Sequence, residues 1–276
     1  MHKLEIAVIS AAFGLGVFGW FRFEYPTVDV EQGTTNQILF VGQAVGSAPN
    51  FASFDNVVEK KQAFFDYLRP GVELENQRVQ KERARLTSIA QRFAQGSLTS
   101  EDNNYAKRLG KLYDVEVTTE GITVAWLDKM LHRVNVLPES LVMTQAANES
   151  AWGTSRFATN ANNYFGQWCY TKGCGLIPLQ RNDDASHEVA SFDSVQESIH
   201  RYFMNVNRNR AYYDLREIRF DRQQGEQSLI DTQAAIALTN GLLKYSERGE
   251  AYVKDLQTMI RHNDEFWTDY NDLTQK

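Results

Sequence analysis

A single carboxylate follows a long apolar stretch near the middle of the chain. Residues 141–148 carry no charge, and Glu149 comes directly after them. A carboxyl group at the edge of an apolar surface loses hydration, so its pKa rises and its proton is retained near neutral pH. A general acid that protonates a glycosidic oxygen needs this property. Taken alone, residues 148–153 leave open that Glu149 is a solvated residue at the end of a helix.

Amides and aromatic rings follow this carboxylate. Sugar-binding sites combine aromatic faces, which stack on the apolar sides of sugar rings, with amides that bond hydroxyl and acetamido groups. The sequence therefore predicts a substrate-binding cleft whose candidate side chains are Trp152, Asn162, Asn163, Phe165 and Trp168. For any one of the rings, packing in a core is the alternative.

Several ordered blocks of the sequence resemble the bacterial glucosaminidase domain family. Residues 149–153 read E-S-A-W-G and residues 162–166 read N-N-Y-F-G, similar to the E-S-x-W-G and N-N-x-F-G pair of that family. Residues 192–199 and 245–252 are further matches. The block W-C-Y-T-K-G-C-G at residues 168–175 narrows the resemblance to one bacterial group within the family.

The resemblance covers about residues 140–260, and it implies both a fold and an activity. The implied fold is mainly α (α+β), a lysozyme-like helical domain with a small β-hairpin lobe. The implied activity is that of a peptidoglycan hydrolase, an endo-β-N-acetylglucosaminidase that cuts glycan strands without a cofactor. Peptidoglycan glycan strands are accordingly the expected partner.

The resemblance also implies roles for individual residues. Carried over by position, Glu149 is the general acid and Tyr245 lines the cleft, where its hydroxyl could orient water or hold an N-acetyl group. Packing against a helix is the alternative for Tyr245. Tyr252 is expected to bind substrate. Its match is looser, because the block has Arg248 where the family has Asp and one additional residue before Tyr252.

A second catalytic carboxylate is less well defined. Family members carry an acidic residue in the hairpin lobe, before a strand of pattern F-R-x-Y-x-S. Residues 189–194 here read V-A-S-F-D-S and lack the Phe-Arg pair. Glu188 precedes this strand and is the candidate base, with Asp183 and Asp184 a few residues earlier. Inverting, retaining and substrate-assisted mechanisms stay open, the last using the acetamido oxygen of the sugar as nucleophile.

Two other functions fit the same residues. A glycan-binding module that has lost its chemistry would explain the missing Phe-Arg pair. A lytic transglycosylase on the same fold would need one acid and no second carboxylate. An amidase acting on the peptide would need a metal or a Cys or Ser nucleophile, and no motif supplies either.

The two cysteines favour a disulfide over a metal site. Cys169 and Cys174 are separated by four residues, and a disulfide between them would persist in an exported protein. Such a bridge would fix the loop that carries Trp168. His187 and His200 are the nearest histidines, and they lack the paired spacing of a structural zinc site. Free thiols are the alternative, and no metal is expected.

The amino-terminal region predicts export. Residues 6–21 are sixteen uncharged residues, with Lys3 before them and Arg22 after them. This length fits the apolar part of a signal peptide or a short membrane anchor, so residues 1–22 are interpreted as one of the two. A buried core segment is the third alternative. The expected location is the cell envelope, on the periplasmic side of the inner membrane, with the protein either anchored or released.

The remainder of the chain divides by composition and period. Residues 23–54 resemble a linker, residues 55–115 a helical extension, and residues 116–270 the catalytic domain. Pro70 and Gly71 predict a break within the extension. The expected helices are residues 57–67 and 74–93, one starting near 99, and 124–134, 138–149, 195–207, 232–243 and 251–263. Residues 168–192 are the non-helical stretch.

Overall charge excludes one class of partner. The formal net charge is -6 at pH 7, whereas a protein that binds nucleic acid normally carries a basic surplus to neutralise phosphates. The hydrophobic fraction of 42% is sufficient for a packed core.

Overall fold

The computed structural model describes residues 40–179 and 187–267, which are mainly helical with a small antiparallel sheet. The predicted fold class is therefore confirmed. The helices are α1 (Val57–Ala94), α2 (Ser100–Leu112), α3 (Val124–Arg133), α4 (Glu139–Ser150), α5 (Arg156–Ala161), α6 (Val195–Arg208), α7 (Tyr213–Gln224), α8 (Thr232–Thr239) and α9 (Glu250–His262). The strands are β1 (Trp168–Cys169), β2 (Gly175–Leu176) and β3 (Glu188–Ala190).

Some of the predictions fall outside these ranges. The predicted signal segment, residues 1–22, lies outside the described residues, as do Asp183 and Asp184. Within the described ranges, no helix combines the length and apolar character needed to cross a membrane.

Helix α4 forms the centre of the fold. Residues 141–147 are all buried, including Thr144 and Gln145, and α1, α8 and α9 pack against the helix. Pro138 precedes its first turn, where a missing N–H has no cost. A helix that is covered on every side holds its last turn, and therefore Glu149, in a fixed position.

Helix α1 is one continuous helix, so the predicted break at Pro70 and Gly71 is wrong. A proline inside a helix costs about 3 kcal/mol through a lost hydrogen bond and a ring clash. Buried side chains on both sides of Pro70, among them Phe64 and Val72, each gain roughly 1.5–3 kcal/mol from burial. Packing against the core thus outweighs the local preference for a break.

The described part of the predicted linker packs along α1. We call residues 40–54 the strap. The amide of Gln43 donates to the Pro70 carbonyl at 3.1 Å, and Phe51 is buried with its ring 5.4 Å from that of Phe64. Strap and α1 therefore belong to the same hydrophobic core as α4.

The hairpin lobe is a three-stranded antiparallel sheet in the order β1-β3-β2. Trp168 pairs with Val189, and Leu176 pairs with Val189 from the opposite side. Strand β3 is buried along its whole length. The sheet confirms the predicted β lobe. Gln167, just before β1, donates from Nε2 to the Ser198 carbonyl of α6 at 2.9 Å.

Helix α7 was not predicted, because its buried face contains arginines. Arg219 is fully buried, and its guanidinium donates to carbonyl oxygens at the end of α3, including those of His132 and Asn135 at 2.9 and 3.0 Å. Carbonyls in the last turn of a helix have no partner within the helix. Arg219 thus satisfies them and ties α7 to α3.

Candidate active site

The carboxyl group of Glu149 lies at the end of α4, partly buried, and two side chains donate to one of its oxygens. The Tyr252 hydroxyl donates to Oε1 at 2.8 Å, and Asn148 Nδ2 donates to the same atom at 3.1 Å. Oε2 has no hydrogen-bond partner among the described residues. The two oxygens are therefore distinct, one fixed by the protein and one available.

Burial raises the pKa of Glu149, and this effect exceeds the opposing effect of the two hydrogen bonds. No acidic side chain among the described residues contributes to the shift. Desolvation disfavours the charged carboxylate, so the proton is retained to higher pH than in water. This agrees with the environment that the apolar run before Glu149 predicts.

The four residues after Glu149 reverse the chain. Ala151, Trp152 and Gly153 all have positive φ, at 50°, 58° and 75°, and Ser150 Oγ accepts from the Gly153 amide at 2.8 Å. A Cβ at Gly153 would lie 2.4 Å from the ring of Phe51. The motif residues at 150 and 153 therefore build a tight turn against the strap.

Trp152 packs on α1. Its ring lies 5.5 Å from that of Phe64 and 5.4 Å from that of Phe65, and Lys61 Nζ lies 5.5 Å from its centroid. The ring thus anchors the turn after Glu149 to the core. Its predicted contact with substrate is not tested by these contacts.

Gly166 lies directly against Glu149. A Cβ at this position would be 3.1 Å from Glu149 Oε2, and the residue has a φ of +61°. Only glycine adopts this backbone conformation without strain while leaving the carboxyl oxygen uncovered. The glycine of the N-N-x-F-G motif therefore lies next to the carboxyl group of the E-S-x-W-G motif.

The amide pair holds the loop that carries Gly166. Asn163 is buried, and its Nδ2 donates to the carbonyls of Gln167 and Ala190, both at 2.9 Å. Its Oδ1 accepts from the amides of Phe165 and Gln167. Asn162 Nδ2 donates to the Phe192 carbonyl at 2.9 Å. Both amides, predicted to contact sugar, are bonded to backbone.

The predicted aromatic residues differ in exposure. Phe165 is buried and stacks on Tyr202, with ring centroids 4.3 Å apart. Trp168 is 53% exposed and stacks on His187 at 3.8 Å. Of these two rings, only Trp168 offers a face at the surface of the protein.

The two tyrosines of the last block stack on each other beside Glu149. The rings of Tyr245 and Tyr252 are 5.7 Å apart and nearly parallel. The Tyr245 hydroxyl donates to the Phe165 carbonyl at 2.8 Å, so Tyr245 supports the loop next to Gly166. Burial raises the pKa of both hydroxyls, which keeps them protonated as donors.

A chain of hydrogen bonds fixes the tyrosine that contacts the acid. Tyr202 donates to Gln145 Oε1, Gln145 Nε2 donates to the Tyr252 hydroxyl at 2.9 Å, and Tyr252 donates to Glu149. Gln145 is not among the site residues that the sequence predicts. Its presence as an amide within the apolar run before Glu149 is the feature of the sequence that could have identified it.

Glu188 lies in the hairpin lobe and is buried. Its Oε1 accepts from the Gly173 amide at 3.0 Å, and its Oε2 accepts from the Gly175 amide at 2.9 Å. These bonds clamp the loop between β1 and β2. The contacts give Glu188 a supporting position, and its role as a base stays a prediction.

The same loop contains the predicted disulfide. Cys169 and Cys174 are bonded, with Cα atoms 6.2 Å apart, and this prediction is confirmed. Their sulfurs and the Glu188 carboxylate form a group with metal-ligand spacing. Because a disulfide removes both thiolates, this group does not fit a metal site.

The chain belongs to the glucosaminidase family. Residues 125–265 match the family model described as mannosyl-glycoprotein endo-beta-N-acetylglucosaminidase. The chain is also similar to Protein bax of Escherichia coli (strain K12), with 30% identity over 217 residues, which cover 79% of this chain and 74% of that protein. No solved structure matches. The predicted family is thus confirmed, and it supports the function of a hydrolase acting on peptidoglycan glycan.

Replacement of Gly166 by alanine tests the contact with Glu149. In Gly166→Ala, we expect the free energy of unfolding to fall by about 1–2 kcal/mol through left-handed strain, and peptidoglycan cleavage to be lost because the methyl group covers Oε2. Gly96→Ala is the matched control, since its φ is +65° and a Cβ there has no neighbour within 4 Å. Urea unfolding and release of soluble glycan measure both effects. Equal activity in the two variants would contradict the prediction that Oε2 must be left uncovered by Gly166.

Proposed function

We propose that this protein is an endo-β-N-acetylglucosaminidase that cuts peptidoglycan glycan strands, with Glu149 as general acid. One observation carries the proposal: a partly buried carboxyl group whose Oε1 is held by Tyr252 and Asn148, while Oε2 faces the uncovered backbone of Gly166. The family match supports the substrate class.

In this proposal, the transferable proton belongs to one of the two carboxyl oxygens. Oε1 accepts two hydrogen bonds, so the neutral acid carries its proton on Oε2. That proton is donated to the glycosidic oxygen as the bond to the leaving sugar breaks, and a water molecule adds its oxygen to the anomeric carbon and releases a proton. The resulting carboxylate is then stabilised by the Tyr252 and Asn148 donors, which strengthen as charge develops on the group.

Other predicted residues take positioning roles in this proposal. Asn163 and Tyr245 hold the loop that carries Gly166, and Trp152 holds the turn after Glu149. Trp168 is the exposed ring that could stack on a sugar. Glu188 holds the disulfide loop of the hairpin lobe.

Substitution of the acid by its neutral isostere tests the proposal. Glu149→Gln keeps an acceptor for Tyr252 but removes the proton, so we expect cleavage to fall by about 10²–10⁴-fold while glycan binding persists. Glu247→Gln, an exposed carboxylate close to Tyr245 in sequence, is the control and should retain activity. Retained turnover in Glu149→Gln would contradict the assignment.

The raised pKa of Glu149 also sets the sign of two pH dependences. Wild-type activity should fall as pH rises through the raised pKa, because the acid loses its proton. A carboxyl whose pKa is higher in the folded state stabilises the fold at acid pH and loses that contribution as pH rises. Glu149→Gln should therefore unfold at higher urea than wild type at pH 7, and the difference should vanish towards pH 4.

A lytic transglycosylase is the second candidate. It is favoured by the amides of Gly173 and Gly175, which bind both Glu188 oxygens and give this carboxylate a supporting position. In this reaction an intramolecular attack by the sugar replaces water, so no second carboxylate is needed. A glycan-binding module without activity is the remaining alternative.

Product analysis with a Glu188 variant separates these candidates. After borohydride reduction, mass spectrometry should show reduced N-acetylglucosamine ends, whereas anhydro-muramic ends would mean a transglycosylase. If Glu188 is a clamp, Glu188→Gln should lower the unfolding free energy by about 1.5–3 kcal/mol and leave the turnover of folded protein nearly unchanged. If it is the base, turnover of the folded protein should collapse in addition to this loss of stability, and Asp183→Asn and Asp184→Asn should have no effect.

The proposal includes export to the cell envelope and attachment through residues 1–22. The uncharged run at residues 6–21 supports it, as does the disulfide, since such bonds persist in oxidising compartments. Alkylation of thiols in intact cells tests it. Cys169 and Cys174 should resist modification until reductant is added, and free thiols in the cytosolic fraction would contradict export.

A further inference from the structure

A basic cavity lies beside the hairpin lobe. It has a volume of about 780 Å³ and is bounded by Gln167 and Trp168 on the side of the lobe and by Tyr213 at the start of α7. Six cations share its wall: Lys111, Arg133, Arg201, Arg208, Arg210 and Arg216. Asp114 is the one carboxylate among its lining residues.

The positive charge of this cavity contrasts with the net charge of -6 of the chain as a whole. Nearby carboxylates neutralise little of the positive charge of the cavity. Arg133 approaches Asp114 only to 4.0 Å, and Arg201 approaches Glu197 at 3.5 Å. Asp114 is 82% exposed in its side chain, and exposed ion pairs of this kind contribute little. The cavity therefore keeps a positive potential.

Some of these cationic side chains are held in place, and others are free to turn. Arg216 is buried, and its Nη1 donates to the carbonyls of Val206 and Asn209 at 2.9 and 2.8 Å. Burial, followed by the nearby Arg133, lowers the pKa of Arg216 to about 10, so it stays charged at neutral pH. Arg201 and Arg210 are exposed at the rim, where their guanidinium groups can turn towards a ligand.

The cavity adjoins the acid through one short segment. A Cβ at Gly166 would lie 3.1 Å from Glu149 Oε2, and the next two residues, Gln167 and Trp168, line the cavity. Consecutive Cα atoms are about 3.8 Å apart, so both features lie within reach of one bound glycan chain. The exposed ring of Trp168 is part of the cavity wall.

We propose that this cavity binds a carboxylate of the muramic acid residue next to the scissile bond, on its lactyl group or on the attached peptide. Guanidinium groups match carboxylates with paired hydrogen bonds, which makes arginine the favoured residue for such recognition. The inference rests on the proposed function, because it assumes that a peptidoglycan strand passes Glu149. It adds that the protein distinguishes peptidoglycan from neutral N-acetylglucosamine polymers.

Direct binding tests this inference separately from catalysis. Full-length Glu149→Gln protein is titrated with a soluble muropeptide, with the same disaccharide carrying only its lactyl carboxylate, and with neutral chitotetraose. The Arg201→Gln/Arg210→Gln pair is added to this background, and exposed Arg261→Gln serves as the matched control. We expect the Kd for the muropeptide to rise at least about tenfold in the pair, the Kd for chitotetraose to stay unchanged, and 0.5 M salt to reduce the difference.

The probes identify the source of the carboxylate. Weaker binding of the muropeptide alone assigns the site to the peptide, and weaker binding of both acidic probes assigns it to the lactyl group. An unchanged Kd for both, an equal loss for chitotetraose, or no binding of the muropeptide by the parent protein would overturn the inference. A far-ultraviolet spectrum and urea midpoint equal to those of Arg261→Gln establish that the pair is folded. Wild-type digestion products test the proposed function independently of these results.

Discussion

Burial of α4 on every side is the constraint on which the rest of the structure depends. A helix whose residues 141–147 are all buried needs neighbours on each face, and α1, α8 and α9 supply them. The helix cannot tilt or slide without opening a cavity in the core, which would cost several kcal/mol. Glu149 lies in the last turn of this rigid element, so the whole core sets the position of its backbone, and Tyr252 and Asn148 fix its carboxyl group.

Around that fixed carboxyl group, almost every motif residue has a supporting task. Ser150 and Gly153 close the turn, Asn163 binds four backbone groups, and Tyr245 binds the loop carbonyl of Phe165. Because a buried polar group must be satisfied, each of these side chains specifies one backbone path. The motif residues thus hold the backbone around the carboxyl group of Glu149, which explains why their glycines and amides are spread over distant segments.

Helical period predicted that the body of the chain is mainly helical, the family resemblance implied the β lobe, and the apolar run before Glu149 predicted the environment of its carboxyl group. They failed where tertiary packing overrides local preference. Pro70 is tolerated in α1 because both flanks are buried, and α7 has arginines on its buried face. The supporting roles of Asn163 and Trp152 depend on partners far away in sequence. The arginines of the cavity come from separate segments, and no spacing pattern connects Arg133 with Arg210.

Contacts of the strap and α1 with the matched segment determine which parts of the chain must be inherited together. The family match begins at residue 125, yet the turn after Glu149 rests on Phe51, and the ring of Trp152 rests on Phe64 and Phe65. A gene rearrangement that moved only the matched segment would leave these surfaces bare and the acid poorly held. In this chain, the segments before the match therefore belong to the same folded body, which extends from the strap to α9.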